Sequence, residues 1–321
     1  MLIAQAPLRV SLFGGGSDLP SFLELDQGAV LSFAIDRRVF IIGHPFTHRS
    51  GILFKYSQTE DVPKPSELEH PIAKEVFGRY GINNMDIAVM SDVPAGTGLG
   101  SSSSFTVASL AFVAGMKSLD RSPRELAEEA CEIEINVLKE PIGYQDQWAS
   151  AFGGINVLEF DHHQVIVKPI LLTSAQLQIL QDNIFLVPVG SPRSAGKMLK
   201  VQGQSIQENS RTHRLTKELV ALVPLGHKAL LNNMDDLGPL LHEGWMIKRE
   251  IAENISNSEV DSLYGSGLQA GATGGKLLGA GGSGYLAFYV PREKQTKFKS
   301  QIPQRLGFAI SLTGAGVIHD S

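Results

Sequence analysis

One cysteine, Cys131, stands in 321 residues, so an internal disulfide framework is excluded and a reducing compartment is expected. Long apolar runs are missing as well. No segment approaches the roughly 20 residues that a membrane-spanning helix needs. The opening MLIAQAPLRV has no basic stretch followed by an apolar one, so neither a signal peptide nor a membrane anchor is expected. Positive charge is not in excess: 28 Lys and Arg against 33 Asp and Glu leave a net charge of -5, which disfavours nucleic acid as the main partner. What remains is ordinary globular composition, 43% hydrophobic and 19% charged, in a chain long enough for two domains. A cytoplasmic enzyme is the expectation.

The densest feature is DVPAGTGLGSSSSFTVASLAF, residues 92–112. Pro94 precedes Gly96, Gly98 and Gly100, interleaved with Ala95, Thr97 and Leu99; Ser101, Ser102, Ser103 and Ser104 follow. From Phe105 an apolar run predicts a buried helix whose N-terminus points back into the loop. Glycines let backbone N–H groups close around a ligand, and the positive end of a helix dipole attracts anions. The serines can cap that helix, donate to phosphate oxygens or hold a metal. A plain connection is the competing reading, but the run is denser than a turn requires. No Lys follows the last glycine and no G-x-G-x-x-G opens a βαβ unit, so this is neither a Walker loop nor the dinucleotide fingerprint.

Other signals fall in order along the chain. Leu8 to Phe13 predicts a strand running into Gly14, Gly15 and Gly16, with Ser17, Asp18 and a helix-starting Pro20 behind. Further strands are expected at Ala29–Ile35, Val39–His44, Ile52–Tyr56 and Ile87–Ser91, with a helix at Pro71–Tyr80. Ser122, Pro123 and Glu125 form a capping box ahead of a helix whose apolar stripe takes Leu126, Ala127, Ala130, Ile133, Val137 and Leu138. Glu134 falls within that stripe, while Glu125, Glu129 and Glu132 lie opposite. A carboxylate facing a core requires an ion pair or a metal, and position alone does not choose. Asp146 either caps the short helix begun by Trp148 or serves a site. Strands at Ile155–Phe160 and Val165–Ile170 predict a hairpin tipped by Asp161, His162 and His163, which carry no assigned role.

Past Thr173 the pattern changes to a helix at Ala175–Gln181, a strand at Ile184–Val189, long helices across Ala195–Val223 and Leu237–Ile255, and a strand-rich end. Antiparallel neighbours outnumber βαβ units, which predicts an α+β chain. Ser191, Arg193, Ser194 and Lys197 cluster between strand and helix, where an Arg fork with hydroxyls suits an anion. A third glycine loop, KLLGAGGSGYLAFYV, reads by itself as a tight hairpin.

Together these motifs resemble the GHMP kinases: APLRVSLFGGGSD the first motif, VPAGTGLGSSSS the second, KLLGAGGSGY the third, with Glu134 and Asp146 between the last two. Within that superfamily the phrases GAVLS and LHEGWMIKREIAENISNSEVDSLY are similar to the kinases of D-glycero-D-manno-heptose 7-phosphate. The Gly-Glu-His of galactokinases is absent, and Ser283 stands where the third motif usually has Gly.

The resemblance implies two domains, 1–172 like ribosomal protein S5 domain 2 and 173–321 ferredoxin-like, with the site between them. It implies ATP and Mg²⁺, a small sugar phosphate as acceptor, and no nucleic acid or membrane partner; the oligomeric state, a homodimer among the expectations, stays open. Asp146 would take or position the acceptor proton, and Arg9 would stand near the reacting hydroxyl. Ser102 and Glu134 would hold Mg²⁺. The loop from Pro94 to Ser104 would wrap the ATP phosphates. Gly15, Gly16, Ser17, Asp18, Asp146, Gly281 and Gly282 would contact the sugar phosphate; from the residues themselves Arg193 is the expected partner of its terminal phosphate, with Arg37, Arg38 and Arg49 the other candidates. The implied reaction is phosphorylation of the heptose 7-phosphate at its anomeric hydroxyl, on the way to a nucleotide-activated heptose. Alternatives are a kinase for an unphosphorylated sugar such as fucose or galactose, or a silent sugar and ATP sensor on the same fold.

Overall fold

The structure, a computed structural model, describes residues 1–161, 164–191, 203–204, 206 and 210–318. Two sheets carry it. The larger is built on β1 (Leu2–Phe13) and β2 (Gly28–Pro45), which pair antiparallel with Ala4 opposite Ile41 and Arg9 opposite Ala34. The sequence predicts two strands where β2 is one. A register shift between Pro7 and Leu8 absorbs Asp36 and Arg37, so the polar interruption becomes a bulge instead of a turn. One half of β2 pairs with β5 (Met85–Ser91) and the other with β6 (Ile155–Phe160), which pairs with β7 (Val165–Pro169) as the predicted hairpin. His162 and His163 lie outside the described residues. β3 (Ile52–Lys55) runs parallel to β5 and antiparallel to β4 (Thr59–Val62).

Helix α3 (Ser101–Lys117) lies against β1 and β2, and every residue from Ser103 to Ala114 is buried. Such a helix has no polar face to solvate, so its apolar run is unbroken where a surface helix would alternate. α2 (Pro71–Arg79) and α5 (Gln145–Phe152) flank it. α4 (Pro123–Cys131) opens with the predicted capping box, with both reciprocal bonds between Ser122 and Glu125 formed.

The smaller sheet runs in the order β8 (Ile184–Val189), β10 (Gly284–Tyr289), β9 (Gly274–Leu277), all antiparallel. The helices α6 (Ser174–Asn183), α7 (Ser210–Asn232), α8 (Leu237–Arg249), α9 (Ser258–Ala270) and α10 (Gln295–Gln301) accompany it. Two boundaries differ from expectation. α7 continues through Pro224 to Asn232, and the helix expected to reach Ile255 stops at Arg249, after which the Asn257 side chain caps α9. The last strand, β11 (Gly316–Ile318), returns to pair with β1 in the larger sheet. Among the described residues no helix is long and apolar enough to cross a membrane.

Candidate active site

A cavity of about 410 Å³ opens where the glycine loops of the two sheets meet. Helix α3 starts at Ser101, four residues earlier than predicted, with Gly100 as its left-handed cap at φ 77°. The serines therefore form the first helical turn. Gly96, Gly98, Gly100, Ser101, Ser102 and Ser103 line the cavity. The rest of the loop does other work. Pro94 and Ala95 are exposed, Thr97 donates its hydroxyl to the Pro94 carbonyl, and Leu99 is buried in the core. Ser104 donates to the Pro7 carbonyl at 2.9 Å, which ties α3 to β1.

Arg9 is fixed from three sides. Its Nε and Nη2 donate to the two carboxylate oxygens of Asp146 at 2.7 and 2.9 Å, and its Nη1 donates to the Gly98 carbonyl at 2.6 Å. A guanidinium matches a carboxylate in this two-pronged way and so sets orientation as well as charge. Asp146 sits in the first turn of α5 without capping it; its carboxylate is about a quarter exposed and faces the cavity.

Asp18 is 2% exposed and accepts three bonds, from the Gly16 backbone and from the backbone and side chain of Gln145. Burial raises its pKa above the usual carboxylate range, and the negative charge of Asp146 adds to the rise. Gly15 and Gly16 line the cavity beside it. Ser17 does not: its hydroxyl donates to the carbonyls of Gly14 and Ala29, holding the loop shut from behind.

Glu134 is 1% exposed, lines the cavity and accepts from Gln147 Nε2 at 2.6 Å. It lies in a π-helical turn, Glu132–Val137, that continues α4. Such a turn rotates the residues beyond it, which leaves Val137 exposed although its spacing puts it on the apolar stripe. Burial pushes the Glu134 carboxyl up to about 7 against the pull of hydrogen bonds from Gln147, Ser103 and Thr106. A raised carboxyl favours folding at low pH; that advantage fades as pH rises from its unfolded value toward 7, leaving a penalty on the order of 3 kcal/mol above it. Glu134→Gln is therefore expected to raise Tm at pH 8, with the gain shrinking toward pH 5; a lower Tm at pH 8 would contradict this. Among the described residues no group of three or more His, Cys, Asp or Glu converges. A hard cation here would take Glu134, the Ser102 hydroxyl and oxygens brought by a ligand, a donor set that suits Mg²⁺.

The third glycine loop meets the second backbone to backbone. A Cβ at Gly98 would stand 2.6 Å from the Leu278 carbonyl, and one at Gly279 would stand 2.5 Å from the Gly98 Cα. It is Gly279 and Ala280 that line the cavity, while Gly281 packs on Ile255 and Gly282 donates to the Ile255 carbonyl. Ser283 is buried against Gly190, away from the cavity, so the departure from the motif leaves the loop intact. Arg193, Ser194 and Lys197 lie outside the described residues, and Ser191 is exposed. Arg37, Arg38 and Arg49 do not line the cavity; they bond Gly307, Ser311 and Thr313, and Asp61.

Two cavity cations escape the sequence reading, as do Ser11 and Gln145. Lys248 of α8 donates to the Gly279 carbonyl at 2.5 Å, and Lys276 of β9 donates to the Leu12 carbonyl at 2.9 Å. Burial pulls the Lys248 ammonium down to about 8, with Arg9 adding to the fall, and pulls Lys276 well below the ordinary range, with Lys248 and Arg9 adding. The site thus joins a helix N-terminus with hydroxyls, a buried carboxylate, a cation-held aspartate and two more cations. That is the equipment for moving a highly charged anionic group onto a polar acceptor.

Comparison with known proteins agrees. The family model for the GHMP kinases N terminal domain matches residues 69–154. The chain is 27% identical to a D-glycero-alpha-D-manno-heptose 7-phosphate kinase of Campylobacter jejuni, over 98% of this chain and 97% of that one. It is 27% identical to a bifunctional fucokinase/GDP-fucose pyrophosphorylase of Arabidopsis thaliana, over 96% of this chain and 32% of that longer one. The crystal structure of a D-glycero-D-manno-heptose 1-phosphate kinase from Bacteriodes thetaiotaomicron superimposes with a TM-score of 0.80 at 23% identity, covering 100% of both chains.

Proposed function

We propose, the chain being a GHMP kinase with that family's two-domain α+β fold, that it uses ATP and Mg²⁺ to phosphorylate D-glycero-D-manno-heptose 7-phosphate on the anomeric hydroxyl. Residues 1–172 and 173–321 would be its two domains, with β11 of the second returning to the sheet of the first. The observation that carries this reading is the Arg9 fork, which joins Asp146 to the Gly98 carbonyl of the phosphate loop. The same side chain therefore sets the acceptor's proton partner and the loop that holds the donor. Full-length similarity to a heptose 7-phosphate kinase supports the acceptor.

The chemistry follows from the positions. Phosphoryl transfer asks little covalent work of the protein and much alignment and charge neutralisation. Gly96, Gly98, Gly100 and the N–H groups at the start of α3, that of Ser103 among them, bind the ATP phosphates, and Ser101 adds a hydroxyl donor. Mg²⁺, held by Glu134 and Ser102, would neutralise charge on the phosphate oxygens. Asp18 and Gln145 orient sugar hydroxyls. Asp146 accepts the proton of the attacking hydroxyl, and Arg9 stabilises the oxygen left behind. An anomeric hydroxyl gives up its proton more readily than an ordinary alcohol, so a positioned carboxylate suffices.

Product structure tests the reading. Phosphorus NMR of the product is expected to show two phosphate resonances, the new one coupled to the anomeric proton. A new phosphate on any other carbon would refute the assignment.

The sugar end gives a further expectation. A Cβ at Gly143 would fall 2.0 Å from Asp18 Oδ2. Gly143→Ala must push that carboxylate out of its socket and is expected to raise KM for the sugar about 10- to 100-fold, with KM for ATP within about threefold. An unmoved sugar KM would take Asp18 out of acceptor binding.

A further inference from the structure

Lys248 and Lys276 are each 7% exposed, and the bonds they make go to backbone carbonyls: Gly279 and Leu277 for one, Leu12 for the other. Among the described residues neither forms an ion pair. A buried ammonium without a carboxylate is costly, and two side by side with Arg9 are more so, since each repels the others. Close by lies a third unsatisfied group: the Ser11 hydroxyl, buried, lining the same cavity and without a hydrogen-bond partner. Ser11 directly precedes Leu12, whose carbonyl holds Lys276. Cations and a free hydroxyl gathered on one cavity, the cations held by carbonyls and paired with no carboxylate, describe an anion subsite.

We propose that Lys248, Lys276 and the Ser11 hydroxyl bind the phosphate already carried by the sugar, and so select a sugar phosphate over a free sugar. The inference rests on the acceptor reading above. The ATP phosphates have Gly96, Gly98, Gly100 and the first turn of α3. Lys276 is anchored instead on β1 just before the Asp18 loop, and Lys248, held on Gly279 where the third loop packs on Gly98, feels the Asp18 charge and so stands between the two ends of the site. The dianion of a terminal phosphate neutralises both ammoniums where no protein carboxylate does. Burial that makes each lysine easy to deprotonate also makes the subsite weaken in alkali, because the cations are lost as pH rises.

Steady-state kcat/KM for heptose 7-phosphate and for unphosphorylated heptose, measured on wild type, Lys276→Gln and Lys248→Met, tests the proposal. The ratio of the two values is expected to favour the phosphorylated sugar in wild type and to fall about 10- to 100-fold in each variant. KM for the sugar phosphate in wild type should climb above pH 8, and that climb should flatten in Lys248→Met. Thermal melts at pH 7 serve as the folding check. Removing an unpaired buried charge should leave Tm equal or higher, so lost selectivity cannot be put down to unfolding. A ratio kept in both variants overturns the lysine assignment while leaving the acceptor reading intact. A wild type that shows no preference for the phosphorylated sugar overturns the acceptor reading and this inference with it.

Discussion

Asp146→Asn is expected to lower kcat by about three orders of magnitude, near 4 kcal/mol in transition-state stabilisation, while the Kd for ATP stays within a few-fold. The amide cannot take the acceptor proton, and it can offer only one oxygen to the two prongs of Arg9 that now grip the carboxylate at 2.7 and 2.9 Å. On the proposed reading ATP is held by the loop and helix α3, and the substitution keeps the size of the side chain that borders Gly100, so the loop stays in place. Single-turnover phosphoryl transfer with saturating sugar, beside calorimetric ATP titration, separates the two quantities. Equal single-turnover rates would remove Asp146 from the chemistry. Weakened ATP binding with unchanged chemistry would make its role the shape of the loop.

A second large effect is expected at Gly98, a residue with no side chain to lose. Its φ of 79° is left-handed, and an added Cβ would stand 2.6 Å from the Leu278 carbonyl, a backbone atom that cannot swing aside. Gly98→Ala should separate the second and third glycine loops and carry the Gly98 carbonyl away from Arg9. Together, strain and lost contact are expected to cost about 2–4 kcal/mol of stability and to lower kcat/KM for ATP at least about 100-fold. Chemical denaturation and ATP kinetics measure the two. Near wild-type values for both would mean that the loops need not touch.

The site was legible where a side chain's neighbours in sequence reveal its environment. The capping box at Ser122 and Glu125 is local chemistry, and it formed as read. Glu134 could be flagged because its spacing from Ala130 and Ile133 puts a carboxylate among apolar residues. The same argument was available for Lys248, three residues after Trp245 and seven after Leu241, both fully buried on α8. A lysine in a helix ordinarily reads as solvated, since its stem can carry the charge outward, and that prior hid it. Lys276 was hidden differently. It opens a glycine motif, and only the meeting of β9 with β1, where its ammonium reaches the Leu12 carbonyl, buries it. Other features had no local signature. The π turn after α4, the bulge that makes β2 one strand, and the Arg9 to Asp146 pair across 137 residues depend on contacts that arise only on folding. The resemblance to a kinase family places both residues near the reacting hydroxyl; their direct pairing comes from the fold.

The central claim, that this kinase acts on a phosphorylated heptose, is tested most directly by ADP release under ATP and Mg²⁺ with heptose 7-phosphate, fucose, galactose, mannose and mevalonate as competing acceptors. The account predicts that heptose 7-phosphate gives the highest kcat/KM. A higher value for fucose, galactose or any other member of the set would contradict it.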